Sequence, residues 1–182
     1  MNNLLISLVL VCLILITFSA FNTPSPSEEG VLPDRHMKHI GILVPDIDIA
    51  LDYWMKLLGI QDKPAIINAE GHEDNPTHFR GKLSDAKAKL AFISLENIQV
   101  ELIEPYGDAQ SHWKEFFANH GPVVHHVAFD VEGIGETYVD LFKESGYSEA
   151  QNGGWDGGEY SYMDTQEGLG VIIELLEHYP KK

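Results

Sequence analysis

The 182-residue chain is 44% hydrophobic and 22% charged, a composition that packs a core rather than staying disordered. Its length suits one ordinary domain or two small modules sharing a core. A formal net charge of −16 argues against nucleic acid and anionic membrane surfaces as partners, because both would repel it. A small anionic substrate stays allowed, since a bound divalent cation can dominate the local field. Cys12, the only cysteine, lies in the first twenty residues. Disulfides, thiolate metal sites and cysteine nucleophiles are thereby excluded from the rest of the chain, and a metal there must take nitrogen and oxygen ligands.

Residues 4–21, LLISLVLVCLILITFSAF, are uncharged and almost wholly apolar. They read as a secretory signal peptide ending near Ser19-Ala20, or as a retained membrane anchor, since the run approaches the length that spans a bilayer. Either reading, over residues 1–21, places the remainder of the chain outside the cytoplasm: periplasmic or secreted in one case, tethered to the membrane in the other. Residues 22–36, rich in proline, serine and acid, read as a flexible linker, and residues 37–182 as the folded domain.

That domain repeats itself. His39 to Ile60 aligns without a gap on His126 to Tyr147, bringing together the two histidines, Val44 with Val131, Ile47 with Ile134, Lys56 with Lys143 and Gly59 with Gly146. Each copy opens with an alternating strand (His39 to Val44; His126 to Val131). An amphipathic helix follows: Ile47, Leu51, Trp54, Met55 and Leu58 share a face before Gly59, and Ile134, Tyr138, Leu141 and Phe142 do so before Gly146. Each closes on an apolar strand carrying a glutamate, Glu101 within 98–103 and Glu174 within 171–176, after further strands at 90–95 and 160–164. The modules are therefore 37–107 and 122–178, each strand, helix and about three strands.

Between the modules, residues 108–121 carry Trp113, Phe116 and Phe117 in the pattern of a short helix ending at Gly121. Residues 68–89 are long and polar and read as a loop, with Glu70, Glu73 and Asp74 solvated. Residues 152–158, NGGWDGG, read as a glycine-rich hairpin turn.

Four residues ask for an explanation. A single ionisable side chain in a core strand costs several kcal/mol unless satisfied, yet His39, Glu101, His126 and Glu174 occupy equivalent points of two repeats. Two imidazoles and two carboxylates suit one divalent ion, Zn, Ni, Co, Mn or Fe, with room for water or substrate. Packed, hydrogen-bonded histidines and water-facing glutamates are the plainer alternative, but it must account for all four. His125 is expected on the opposite face by strand alternation. Glu104 and Glu177 read as rim residues, and His36, His72, His78, His112, His120 and His178 as surface residues in loops or at element ends.

The pattern His39-x-x-x-x-Val44-x-Asp46, Val100 to Pro105 (VELIEP), Gly121-x-x-x-His125-His126-Val127-Ala128-Phe129 and Ile173 to Glu177 (IELLE) resembles the vicinal oxygen chelate superfamily of glyoxalases, bleomycin-resistance proteins and dioxygenases. Methylmalonyl-coenzyme A epimerase-like and glyoxalase I-like members look most similar, over residues 37–177. The resemblance implies an α+β fold in which two βαβββ modules form a curved, mixed, eight-stranded sheet cupping one metal ion held by His39, Glu101, His126 and Glu174. It implies a metal-dependent lyase or isomerase that stabilises an enolate or enediolate of a small oxygen-chelating substrate, with Glu174 or Glu101 serving as base as well as ligand. From its epimerase-like members it also implies a further catalytic glutamate near residues 68–89, for which Glu70, Glu73 and Asp74 are the candidates. Two other functions live on such a fold: an Fe(II) extradiol-type dioxygenase with two histidines and one glutamate, and a non-catalytic binder of metal or small molecules. The site is complete within one chain or exchanged between two in a homodimer.

Overall fold

A computed structural model describes residues 30–180. The apolar run of residues 1–21, with its reading as signal peptide or anchor, lies outside these residues, as does the linker through residue 29. Val31 and Leu32, at the linker's end, pack on the core of the second module.

The first module begins with β1 (His39–Leu43), followed by α1 (Ile47–Leu58). Asp46 caps α1 by accepting a hydrogen bond from the Ile49 amide, and Gly59 ends it in the left-handed region at φ 70°, where a side chain would strain the backbone. β2 (Ile67–Ala69), the two-residue strands β3 (His78–Phe79) and β4 (Lys82–Leu83), β5 (Lys87–Ser94) and β6 (Gln99–Tyr106) complete it. α2 (His112–His120) bridges to the second module. There β7 (Val123–Asp130) leads through a π-helical turn at Ile134–Tyr138 into α3 (Val139–Glu144). β8 (Ser148–Trp155), β9 (Gly158–Asp164), the single turn α4 (Gln166–Leu169) and β10 (Ile172–His178) follow.

All strands join one sheet in the order β2-β5-β6-β1-β7-β10-β9-β8-β3-β4. Eight of them, β2 through β8 in that order, are two copies of one four-stranded motif meeting at the antiparallel β1–β7 seam, each seam strand pairing in parallel with its own module's last strand, β6 or β10. The expected count of eight becomes ten because the polar segment 68–89 is not all loop. Its β3–β4 hairpin leaves the first module and pairs with β8, as His78 with Asn152 and Phe79 with Gln151. Residues 70–77 therefore strap the sheet from one edge to the other.

Strand alternation divides the side chains between two faces. On the convex face α1 buries Ile47 and Leu51 against Ala91, Ile93, Val100 and Leu102, and the second helical segment buries Ile134, Val139 and Phe142 against Met163, Ile173 and Leu175. Each such fully buried aliphatic side chain contributes about 1.5–3 kcal/mol. On the concave face, α2 lays Trp113 and Phe116 against Leu43, Ala88, Ile103, Tyr162 and Ile172, filling one end of the cup.

The glycine-rich segment 152–158 is also not simply a turn. Asn152 to Trp155 belong to β8, and only Asp156 and Gly157 turn. The glycines serve close approach: a Cβ on Gly153 would stand 2.9 Å from Thr77, and one on Gly154 2.8 Å from Asn75, both on the strap.

Candidate metal centre

Each of the four predicted ligands owes its position to strand register. Glu101 on β6 lies opposite Gly41, two residues on from His39 and so on the same face of β1. Glu174 on β10 lies opposite Ala128, two residues on from His126. The β1–β7 seam pairs Gly41 with His126. The absent side chain at Gly41 is what admits the His126 ring, for a Cβ there would lie 2.0 Å from it. All four residues are buried, and a single chain supplies them all.

Their donor atoms converge on one point. His39 Nε2 lies 2.9 Å from His126 Nε2, 2.8 Å from Glu174 Oε2 and 3.3 Å from Glu101 Oε2. His126 Nε2 lies 3.1 Å from each carboxylate oxygen. Nevertheless, neither Glu101 Oε2 nor Glu174 Oε2 receives a properly directed hydrogen bond. Buried carboxylate oxygens without a directed donor are costly, so proximity alone does not explain the cluster. Ligands about 2.1 Å from a shared ion stand roughly 3.0–3.4 Å apart, close to these spacings. The residues present fit a divalent cation.

Without a cation the cluster traps protons. Burial would push His39 down, but the close carboxylates of Glu101 and Glu174 outweigh it, and its pKa is pushed up to about 10. His126 is likewise raised against its burial by the two carboxylates. Burial would raise the carboxylates, but the adjacent imidazoles, His126 foremost, hold both below the usual range.

Two histidines placed elsewhere by sequence reasoning belong beside this cluster. His112, expected on the surface, is only 3% exposed because α2 plugs the cup. His125, expected on the opposite face, is fully buried with its Nδ1 3.0 Å from His126 Nδ1. The reason is a bulge: the seam register slips so that Gly41 faces His126 but Ile42 faces Val124. The residue left over, His125, is thereby freed from strict alternation. Its Nε2 lies 2.8 Å from His112 Nδ1, so three imidazoles form a buried row. Burial lowers His112 to about 4, and burial, with the charge of the neighbouring His126, lowers His125 well below its ordinary value, so both are neutral.

Glu104 and Glu177 are more than rim residues. Each lies three positions beyond a cluster glutamate and therefore on the opposite face, where the helices begin. Glu104 Oε2 accepts from the Ile47 amide at 2.8 Å, and Glu177 Oε2 from the Gly133 and Ile134 amides at 2.9 Å each. The repeated spacing Glu101-x-x-Glu104 and Glu174-x-x-Glu177 was the signal available for this role. Of the acids in the strap, Glu70 is tied to Tyr106 and Lys87 and lines the cavity next to the cluster, whereas Glu73 and Asp74 are exposed.

That cavity, about 550 Å³, opens onto His39, Glu101 and Glu174. His126, 0% exposed, is sealed behind them against Tyr162, with ring centroids 5.0 Å apart.

A sequence profile of the Glyoxalase/Bleomycin resistance protein/Dioxygenase superfamily matches residues 38–162. Human mitochondrial methylmalonyl-CoA epimerase is 24% identical over 164 residues, covering 87% of this chain and 85% of that protein. The ethylmalonyl-CoA/methylmalonyl-CoA epimerase of Cereibacter sphaeroides is 24% identical over 143 residues, covering 76% and 95%. Among solved structures, the hypothetical protein BH1468 of Bacillus halodurans has the same fold, with a TM-score of 0.56 at 23% identity over 80% of this chain and 96% of that one.

Proposed function

The chain belongs to the glyoxalase, bleomycin-resistance and dioxygenase superfamily, and from that premise we propose that it is a divalent-metal-dependent isomerase or lyase moving a proton next to a carbonyl of a small, oxygen-chelating substrate. The observation that carries this reading is the convergence of four buried ligand atoms, two of them carboxylate oxygens without directed hydrogen-bond partners. The epimerase activity named for its relatives supports the isomerase form. The apolar run at residues 4–21 supports action outside the cytoplasm.

In this mechanism His39, Glu101, His126 and Glu174 hold the ion. When bound, a divalent cation supplies a Lewis acid to the substrate oxygen, lowering the cost of removing the neighbouring proton. Glu101 and Glu174 approach the same cavity from the two modules. One carboxylate would take the proton from carbon, and the other, once it has taken a proton from solvent, would deliver that proton to the opposite side, inverting the centre and leaving the first to release its proton to solvent. Return to the neighbouring atom instead gives an isomer. Ligation through His126 Nε2 leaves the proton on Nδ1, which donates to His125 Nδ1. His125 then carries its own proton on Nε2 and donates to His112 Nδ1, so the row fixes the tautomer and angle of the ligand.

The test is elemental analysis of the purified full chain beside His126→Ala, coupled to solvent-deuterium incorporation into 2-oxo and 2-hydroxy acids. We expect about one transition-metal ion per chain, lost in the variant. No uptake of Mn, Co, Ni, Zn or Fe(II) by the parent would sink the reading.

A further inference from the structure

The cavity in front of the cluster restricts the substrate further, on the premise that the cluster is a metal centre. At about 550 Å³ it falls within the ordinary size of a small-molecule site. Its walls include Leu90, Phe92, Trp113, Tyr160 and Leu176. The polar tips of these aromatics are already engaged: Trp113 Nε1 donates to the Tyr162 hydroxyl at 3.0 Å, and the Tyr160 hydroxyl accepts from Gln151 Nε2 at 3.0 Å. Trp113 and Tyr160 stack, with centroids 6.1 Å apart. What they offer a ligand is therefore hydrocarbon and ring surface.

Charge points the same way. Lys38 is the one lysine or arginine among the described residues lining the cavity, and its Nζ is held 2.9 Å from Asp130 Oδ2. His178, also at the wall, lies 3.3 Å from the same aspartate. Glu70, also in the lining, holds the nearby Lys87 ammonium at 3.2 Å, and the chain as a whole carries −16. A phosphate-bearing coenzyme needs guanidinium or ammonium partners that this wall does not supply.

We propose that the substrate joins its pair of chelating oxygens to an aryl group, as in a 2-aryl-2-hydroxy acid, whose C2–H stands next to the carboxylate carbonyl and whose 2-oxo counterpart, lacking that proton, binds without reacting, and that it is not a coenzyme A thioester. The oxygens meet the metal side of the cavity, formed by His39, Glu101 and Glu174. The ring lies against Phe92, whose centroid is 6.1 Å from that of His39.

The experiment loads the full chain with Mn(II), confirms uptake by electron paramagnetic resonance, and titrates phenylglyoxylate, pyruvate and propionyl-CoA by calorimetry. Expected is binding of phenylglyoxylate at least about tenfold tighter than pyruvate, the scale of burying a ring. Propionyl-CoA should be weakest. Phe92→Ala, and independently Leu176→Ala, should shrink the phenylglyoxylate preference while Mn(II) uptake persists. Uptake of Mn(II) with propionyl-CoA bound most tightly, or with pyruvate equal to phenylglyoxylate, overturns the substrate class and leaves the metal centre standing. Failure of Mn(II) uptake removes the premise and the inference together.

Discussion

The two modules agree where strands set geometry and diverge where helices and loops do. α1 is a regular helix whose buried residues, Ile47 and Leu51, are four apart. Its counterpart starts with a π-helical turn, and the buried residues there are Ile134 and Val139, five apart. Tyr138, the repeat partner of Leu51, is consequently only half-buried, packed against the edge of the core. Yet Glu104 and Glu177 cap both helices alike, and each pair of cluster residues keeps its register. A convex-face irregularity can thus be absorbed without disturbing the concave face, because the ladder between parallel strands fixes where the histidine and glutamate point.

The sharpest way to break the likeness is at Gly41 and its repeat partner Ala128. Gly41→Ala should abolish metal uptake and cost about 1–3 kcal/mol in urea unfolding, because the new methyl occupies the space of the His126 ring. Ala128→Gly should cost only about 0.5–1 kcal/mol and retain the metal. Equal losses at both positions would remove the asymmetry of the seam.

A second contrast lies one residue before each histidine. His125→Phe should weaken metal binding by about 10- to 100-fold by leaving His126 unsupported. Lys38→Ala, at the exposed equivalent, should change it by less than about threefold, since its ion pair is at the surface. Competition with a chromogenic chelator measures both.

The histidines also set opposite limits on pH. Pairing of His39 stabilises the metal-free fold fully below pH 6.5 and is lost as pH rises toward its folded pKa of about 10. His112, lowered to about 4, contributes above pH 6.5 and loses that contribution as pH falls toward 4. Urea midpoints of the metal-free chain should therefore peak near pH 6.5. Saturating Mn(II) should remove the alkaline decline, because a ligated His39 needs no proton. A flat metal-free profile would contradict the trapped-proton picture.

The smallest expected effect compares the two caps. Glu177→Ala, which strands two amides, should cost about 1–2 kcal/mol, and Glu104→Ala, which strands one, about half as much, both read from urea midpoints.

Much of this was legible in the sequence because it is local or repeated. The strand–helix–strand order, the Gly59 end of α1, and the four cluster positions follow from periodicity, the offset that aligns the histidines, and a glutamate in the closing strand of each copy. What escaped depends on contacts distant in the chain. β3 and β4 are too short to show alternation and exist through pairing with β8. His112 is buried only because α2 enters the cup, and His125 turns only because the seam bulges. The π-helical turn leaves no mark on a pattern that fits an ordinary helix almost as well.

The strap of residues 70–77 carries a consequence for how the chain reaches this state. Its hairpin is encoded in the first repeat but finds its strand partner, Gln151 and Asn152, in the second. Neither half can complete its own hydrogen bonding alone, so the repeats form one cooperative body rather than two foldons. A gene cut between residues 107 and 122 should give fragments that stay unfolded separately and assemble only when mixed. Closing this long loop late would make the strap the slow step of folding, after the seam has formed.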